Sequence, residues 1–290
     1  HFLAQTHPYS IITGQIIYFP MKKHLSWNIL KRFSMRNEPG FTLQDVSREF
    51  PGKKPVYLAK VLAEMVSMGM LCKVARNNYH IIPLNAEPET YVPDSILIAK
   101  QLMHNKEYYI GYASALKIHG ISSWSDKKEY VVSTKQTKPS IRNIQGVSYH
   151  FILHDEDRFF GFTSMWINPL EKAMVSDLEK TIVDIVTKPQ LAGGIIKVGQ
   201  SIFEAQAEID QDKLFYYLDR NGNKSAKKRF LYLTELLGLN WTAEHDIKME
   251  ELGSGISLLD PATPDLGKIR KKFGLKINVD PDQIKREILY

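Results

Sequence analysis

The spacing of apolar residues predicts three short helices near the start of the chain. In residues 22–33 apolar positions recur every three or four residues, which is the spacing of one buried helix face. Thr42, with Asp45 three residues on, has the signature of a capping box and predicts that a second helix begins there. Pro55 stands where the first residue of a helix tolerates proline, so a third helix is expected over residues 55–67.

Two short β-prone runs follow the third helix. Residues 70–74 and 79–82 flank the segment 75–78, whose asparagines tolerate left-handed backbone conformations. This pattern predicts a two-stranded hairpin. Three helices followed by a hairpin are the order expected of a winged helix-turn-helix domain, which we place at residues 21–83.

The rest of the chain has a different pattern. Residues 84–93 are polar and contain three prolines, which indicates a linker. Residues 94–290 contain runs of strands followed by runs of helices, without repeats. The predicted fold class is therefore α+β, an N-terminal winged helix-turn-helix followed by a larger mixed α+β domain. Residues 1–20 are interpreted either as an N-terminal extension or as a strand packed on the body.

The periodicity of residues 94–290 predicts the following elements. The expected helices are 94–104, 114–119, 176–186, 195–208, 211–220 and 225–237. The expected strands are 108–112, 130–133, 147–153, 159–167 and 172–175.

Composition is typical of a folded protein in a reducing compartment. The chain has 290 residues, 43% of them hydrophobic, which is enough to fill a core in each of two domains. Its single cysteine, Cys72, rules out an intrachain disulfide and a thiolate metal cage. No apolar run has the length of a membrane-spanning helix, and residues 1–20 lack the pattern of a signal peptide. A cytoplasmic location without a membrane partner is expected.

The excess positive charge of the protein lies in residues 21–83. The whole chain carries a formal charge of +6. Residues 21–83 contain eleven Lys and Arg and four Asp and Glu, a net charge of +7, whereas residues 84–290 contain 27 basic and 28 acidic residues, a net charge of −1. This asymmetry predicts a polyanionic partner for the N-terminal domain.

The predicted DNA contacts come from the third helix and the hairpin. Lys53 and Lys54 precede the helix, where the free amide groups and the helix dipole also attract phosphate. Tyr57 and Lys60 fall on its outer side, and Arg76 lies in the predicted turn, where it could reach a minor groove or a phosphate. The alternative is a solvated basic face on a domain used for protein contacts. The predicted set is Lys53, Lys54, Tyr57, Lys60, Lys73, Arg76 and Asn77.

A second basic cluster opens the helix expected at residues 225–237. Cations at a helix N-terminus oppose the helix dipole unless an acidic group compensates. A partner surface could provide that group, and so could solvent. The candidate partner-binding residues are Lys224, Lys227, Lys228 and Arg229.

Acids near Lys180 suggest the chemistry of a metal-dependent nuclease. Asp177, Glu179 and Asp184 surround it in sequence. However, Ser176 and Glu179 have the spacing of a capping box, and the apolar residues make the segment an amphipathic helix, so a structural role accounts for the acids. We expect no catalysis, no cofactor and no metal site.

Other possible metal ligands are weaker. His150 and His154 lie four residues apart on a predicted strand, near Asp155 and Asp157. However, no third ligand occurs at a sequence spacing that is typical of a metal site. They are interpreted as a surface pair. Two tripeptides, 126–128 and 246–248, have the acid-x-lysine spacing of some nucleases, a pattern that is common by chance.

Several ordered stretches resemble the AbiEi family, the antitoxins of type IV toxin-antitoxin pairs that also repress their own operon. The resemblance covers nearly the whole chain from about residue 22. It rests on the order and spacing of stretches 108–120, 175–184, 191–194, 259–261, 273–275 and 277–279.

This resemblance implies a winged-helix domain that binds operator DNA and a C-terminal domain that antagonises a nucleotidyltransferase-like toxin. The expected partners are therefore operator DNA and a cognate toxin, and assembly as a dimer or cooperatively on DNA stays open. Two alternatives remain. One is a DNA-targeted metal-dependent nuclease, and the other is a transcriptional regulator that senses a small ligand.

Overall fold

The computed structural model shows a mixed α+β protein that divides into two compact units, His1–Leu102 and Met103–Tyr290. No helix in the described part of the chain is long and apolar enough to span a membrane. The structure describes residues 9–12, 15–18, 23–36, 38–104, 106–121, 127–169, 171–239, 241 and 252–289.

The N-terminal unit contains the predicted helices and hairpin. Its strands form an antiparallel pair, β1 with β2, and a three-stranded antiparallel sheet in the order β3-β5-β4. The elements are β1 (Tyr9–Ile12), β2 (Gln15–Tyr18), α1 (Lys23–Ser34), β3 (Gly40–Thr42), α2 (Leu43–Glu49), α3 (Pro55–Ser67), β4 (Leu71–Ala75), β5 (Asn78–Ile81) and α4 (Ser95–Leu102).

Local sequence signals explain where these helices begin. The capping box of α2 is confirmed, since Thr42 Oγ1 accepts from the Asp45 amide at 3.2 Å and Asp45 accepts from the Thr42 amide at 2.8 Å. Pro55 is the first residue of α3, as predicted. The core between the helices and the sheet is apolar, and the rings of Phe33 and Phe41 stack with centroids 4.2 Å apart.

Two features of this unit differ from the predictions. The segment after Pro39 is a strand, β3, because Phe41 pairs with Tyr79 of β5. Helix α4 was expected to start the second domain after a linker at 84–93, but it belongs to the N-terminal unit. Gln101 Nε2 donates to the carbonyl oxygens of Phe41 and Tyr79, each at 2.9 Å, and so ties α4 to the sheet.

The C-terminal unit combines a six-stranded mixed sheet with helices and a small second sheet. All the predicted helices and strands are present, with ends that differ by a few residues. The elements are β6 (Tyr109–Ile110), α5 (Tyr112–Ile118), β7 (Lys128–Ser133), β8 (Ile141–Ile144), β9 (Val147–Leu153), β10 (Phe162–Trp166), β11 (Lys172–Ser176), α6 (Leu178–Thr187), α7 (Ile195–Ala205), α8 (Gln211–Asn221), α9 (Lys224–Leu236), β12 (Ser257–Leu258), β13 (Lys268–Arg270), β14 (Leu275–Ile277) and α10 (Pro281–Leu289).

The large sheet has the order β10-β11-β6-β7-β9-β8. Its β6–β11 and β7–β9 pairs are parallel and its other pairs antiparallel, as expected of an α+β rather than a doubly wound fold. Helix α6 packs against α5, α7, α8 and α9 and is buried along residues 179–186. The predicted helix is therefore present, and it is a central core helix that is buried on more than its apolar face.

The C-terminal segment forms a separate small sheet in the order β12-β14-β13, followed by α10. No prediction covered these elements. The strands are only two or three residues long, which is too short to give a clear alternation of apolar and polar positions.

Candidate nucleic-acid interface

Helix α3 has one buried face and one exposed face. Leu58, Val61, Leu62 and Met65 fill the core of the N-terminal unit. A stripe of exposed side chains runs along the opposite side, at the positions i, i+4, i+7 and i+11 that share one helix face. The stripe consists of Val56, Lys60, Ala63 and Ser67.

The first turn of α3 is surrounded by positive charge. Lys53 and Lys54 are exposed, no acidic residue lies in the first turn, and no side chain caps the helix start. Within the described residues, no carboxylate forms an ion pair with Lys53, Lys54 or Lys60. The helix dipole adds to this positive potential, so the turn can accept an anion such as phosphate.

The acids of α2, in contrast, are already paired. Glu49 accepts from Arg32 at 2.6 Å and from Arg36 at 2.7 Å. These hydrogen bonds hold the pKa of the Glu49 carboxyl below its usual value. Arg32 and Arg36 are thereby partly neutralised, whereas Lys53, Lys54 and Lys60 at α3 have no carboxylate partner among the described residues.

The hairpin β4–β5 presents the remaining predicted residues. Ala75 pairs with Asn78, so Arg76 and Asn77 form a two-residue turn. Both are exposed, and Asn77 adopts the left-handed conformation, with φ 61°, that such a turn requires. The Asn77 carbonyl accepts from the Leu43 amide at 2.9 Å, which fixes the turn against the start of α2. Lys73 is exposed on β4.

All seven residues predicted to contact DNA are therefore solvent-exposed in the N-terminal unit. Sequence reasoning missed Val56 and Ala63, which lie on the same stripe as Lys60. Both are apolar, and an apolar residue in a helix is normally assigned to the core. Their angular position, about 180° from Leu58 and Met65 at 100° per residue, was the signal that could have identified them.

A second cluster of ionisable residues is buried in the C-terminal unit. The Lys180 ammonium donates to Asp184, and the Tyr109 hydroxyl donates to the same carboxylate at 2.9 Å. The Tyr109 hydroxyl oxygen also lies 3.2 Å from His154 Nδ1, and the Tyr112 hydroxyl oxygen lies 2.8 Å from His154 Nε2. All five side chains are at most 8% exposed. We call Tyr109, Tyr112, His154, Lys180 and Asp184 the buried network.

The hydrogen bonds of the buried network assign one tautomer to His154. The proton of Tyr109 is committed to Asp184, so His154 Nδ1 must donate to the Tyr109 oxygen. Nε2 then accepts from Tyr112, and the imidazole is neutral. Burial lowers the pKa of His154 to about 4, which agrees with this assignment. Burial, with the nearby Asp184 charge, raises the pKa values of Tyr109 and Tyr112 well above 10.

Tyr112 is held in an unusual backbone conformation. Its φ of 55° lies in the left-handed region, which costs a bulky residue on the order of 1–3 kcal/mol. The hydrogen bond to His154 and the complete burial of the ring compensate for this cost. The network thus positions the turn between β6 and α5.

Several sequence-based assignments are corrected by these contacts. His154 is not part of a surface pair, because it follows β9 and is buried, while His150 lies in the strand beside Tyr130. The cap of α6 is Asp177, not Ser176, since Asp177 accepts from the Lys180 amide at 2.9 Å.

Glu179 has a different role from the one predicted. Instead of capping α6, it accepts from Lys213 Nζ at 2.7 Å and so links α6 to α8. The acids at positions 126 and 246 lie outside the described residues. Within the described residues, no group of three His, Cys, Asp or Glu side chains is placed to hold a metal ion.

Two of the four candidate partner-binding residues are inside the C-terminal unit, so this part of the prediction is wrong. Lys228 is 2% exposed and donates to the carbonyl of Gly255, and Arg229 is 6% exposed. Arg229 donates to the carbonyl oxygens of Leu258 at 3.0 Å and Val186 at 3.2 Å. These side chains fasten the C-terminal segment to α9 and α6, which the charge pattern could not reveal.

The other two members of that cluster are closer to solvent. Lys224 is exposed at the start of α9, and Lys227 forms an ion pair with Asp219 of α8 at 2.7 Å. Only Lys224 therefore offers an exposed charge, which reduces the predicted partner-binding patch to a single residue.

Asp260 connects two more distant parts of the C-terminal unit. Its Oδ2 atom accepts from the Ile195 amide at 2.9 Å, at the start of α7, and its Oδ1 atom accepts from the Ala262 amide at 2.8 Å. Gly194 precedes α7 with φ 93°, and a Cβ atom there would lie 3.0 Å from Asp260 Oδ2. The Gly193-Gly194 turn before α7 is therefore a helix start, as predicted.

Comparisons with known proteins define the fold only. No protein-family model matches the chain, and no curated protein matches it. Among solved structures, the chain is similar to a protein of about the same extent, with a TM-score of 0.61 and 15% sequence identity. That protein is the RV2827C protein from Mycobacterium tuberculosis, and the match covers 92% of this chain and 95% of the other. The shared feature is the α+β fold along most of both chains.

Proposed function

We propose that this protein is a two-domain antitoxin and transcriptional autorepressor. The N-terminal unit acts as a winged helix-turn-helix that binds operator DNA, and the C-terminal α+β unit neutralises a nucleotidyltransferase-like toxin. The single observation that carries the proposal is the position of the excess positive charge. It is concentrated in residues 21–83, and among the described residues Lys53, Lys54 and Lys60 are exposed at α3 and Lys73 and Arg76 in the hairpin.

The geometry of the N-terminal unit supports DNA binding in three ways. Helix α3 is a 13-residue helix with a fully exposed outer face, the form of element that enters a major groove. Lys53 and Lys54 flank its start, where phosphate contacts position a recognition helix. Arg76 lies at the tip of a rigid hairpin, which suits a second contact with a phosphate or a minor groove.

The antitoxin half of the proposal rests on the stretches that resemble the AbiEi family. Stretches 108–120 and 175–184 supply Tyr109, Tyr112, Lys180 and Asp184 of the buried network. Stretches 191–194 and 259–261 meet where Asp260 accepts from the amide that follows Gly194. Residues of stretches that are distant in sequence therefore contact one another.

An electrophoretic mobility-shift experiment tests the DNA-binding half. The full-length protein is titrated against the duplex upstream of its own gene and against a scrambled duplex of equal length, at about 50 and 200 mM salt. We expect a complex that prefers the upstream duplex and weakens at least about tenfold between the two salt concentrations. Equal binding to both duplexes, or no salt dependence, contradicts this half.

Co-expression tests the antitoxin half. The gene adjacent to this one is induced alone and together with this protein, and bacterial growth is followed. Growth arrest by the neighbour that this protein relieves is the expected result. A protein with Lys53, Lys54 and Lys60 replaced by Ala should still relieve it when both genes are expressed from foreign promoters, because that rescue does not require DNA binding. A harmless neighbour, or no rescue, overturns this half.

A further inference from the structure

Val56 is an exposed aliphatic residue at the start of the α3 stripe. Its side chain is 83% exposed, at the second position of the helix, and it is flanked by Lys53, Lys54 and Lys60. Ala63 continues the apolar character of the stripe two turns further on. Val56 contributes nothing to the core, so its side chain is available to a partner on the outer face of the helix.

We infer that Val56 reads the 5-methyl group of a thymine in the major groove. This inference rests on the proposed DNA-binding function and adds the base class that the helix recognises. Thymine is the base that presents an apolar group in the major groove, and small apolar side chains are its partners. Lys53 and Lys54 supply sequence-independent affinity through phosphates, whereas the valine can distinguish bases.

The position of Lys60 adds a second element to the recognised sequence. Val56 and Lys60 lie one turn apart on the same stripe, about 6 Å along the helix axis. Adjacent base pairs are about 3.4 Å apart, so the two side chains span about two base-pair steps. Lys60 has the chemistry that pairs with guanine O6 and N7. The recognised site should therefore contain a thymine within about two base pairs of a guanine.

A protein partner on the same face is the competing explanation. A docking surface for another protein normally combines several apolar side chains into one patch. Pro55 and Tyr57 beside Val56 are exposed, but so are Lys53, Lys54 and Lys60, and three cations suit a phosphate backbone better than an apolar protein surface. The charge around Val56 thus favours DNA.

The experiment begins with selection of bound duplexes from a random-sequence pool by the full-length protein. In one selected duplex, each thymine is replaced in turn by deoxyuridine, which lacks only the 5-methyl group. Affinities are measured for the wild type, for Val56→Ala and for the matched control Leu84→Ala. Leu84 is an aliphatic residue with 99% exposure outside α3.

At one thymine near a guanine, the wild type and Leu84→Ala should bind the deoxyuridine duplex about three- to fivefold more weakly, as expected for one buried methyl group. Val56→Ala should bind both duplexes equally, at the weaker level. Unchanged sedimentation of Val56→Ala shows that its effect is not on assembly.

Three results separate the possible failures. If the selection recovers no preferred sequence, or binding does not depend on salt, the proposed DNA-binding function fails. If binding is specific and salt-sensitive but deoxyuridine has no effect at any thymine, the thymine inference alone is overturned. If Val56→Ala alters the sedimenting mass and leaves DNA affinity unchanged, the face binds protein and the inference is also overturned.

Discussion

Lys180 and Asp184 form a buried ion pair one turn apart on helix α6. Their side chains are 0% and 1% exposed, and the tyrosine hydroxyl of Tyr109 donates to the same carboxylate. The Lys180 ammonium also lies 4.8 Å from the centre of the Phe160 ring, which adds a cation–π contact. In a buried ion pair each charge is compensated by its partner and not by water. The two residues are therefore energetically coupled.

Removing one member of this pair should destabilise the protein strongly. Asp184→Asn leaves the Lys180 ammonium buried without a counter-charge, and we expect the free energy of unfolding to fall by about 3–5 kcal/mol. The double variant Lys180→Met/Asp184→Leu removes both charges and should be more stable than Asp184→Asn. Urea unfolding of the three proteins measures this difference. If the double variant is no more stable than Asp184→Asn, the residues are not coupled.

The free energy of unfolding should decrease as the pH is lowered, because of His154. Burial lowers the pKa of His154 from 6.5 to about 4 in the folded protein. The unfolded chain therefore binds more protons between these values. The contribution of His154 is fully present above pH 6.5 and decreases as the pH falls through this window, by about 3 kcal/mol in total.

Thermal unfolding between pH 7 and pH 4.5 checks the histidine prediction. The variant His154→Gln should show a flatter decrease than the wild type in this range. His104→Gln, which changes an exposed histidine, should follow the wild-type profile. Identical slopes for His154→Gln and the wild type would show that His154 is not buried in its neutral form.

The lysines around α3 should determine the salt dependence of DNA binding. Replacing Lys53, Lys54 and Lys60 by Ala removes up to three phosphate contacts, and each contact contributes about 0.9 to the slope of log affinity against log salt. The slope should therefore decrease by about two to three. The control replaces Lys117, Lys127 and Lys268, which are exposed lysines of the C-terminal unit, and changes the net charge by the same amount. A similar loss in both variants would indicate a nonspecific effect of net charge.

Gly194 should be much less tolerant of substitution than a matched glycine. Gly194→Ala introduces a side chain at φ 93° and places its Cβ atom 3.0 Å from Asp260 Oδ2, so it also disturbs the cap of α7. We expect a loss of about 2–3 kcal/mol. Gly222→Ala, at φ 65° with open space around the new Cβ atom, should cost about 1 kcal/mol. Equal losses, measured by urea unfolding, would show that the contact with Asp260 is unimportant.

Much of the fold could be predicted from local sequence signals. The capping box at Thr42 and the proline at the start of α3 act within one helical turn, so their effect is visible without tertiary information. The short C-terminal strands could not be predicted, because their pairing depends on residues far away in sequence, as Leu275 of β14 with Arg270 of β13 shows.

In the candidate interface, too, some residues could be predicted from the sequence and others could not. Lys53, Lys54 and Arg76 were identifiable from charge and position, because a charged residue beside a helix start or in a turn is exposed in almost any fold. Val56 was not identified, since apolar residues are normally buried and only its angular position on α3 reveals its exposure.

The sequence by itself determined the first three helices and the hairpin of the N-terminal unit and the location of the excess positive charge, because helix caps, turns and net charge depend on residues close together in the chain. Only the tertiary structure decided which charged side chains are exposed and which are buried. Lys228 and Arg229 resemble Lys53 and Lys54 in sequence, yet they are buried by a segment some 30 residues further along the chain. Burial depends on contacts between distant segments, and a local pattern of charges contains no information about those contacts.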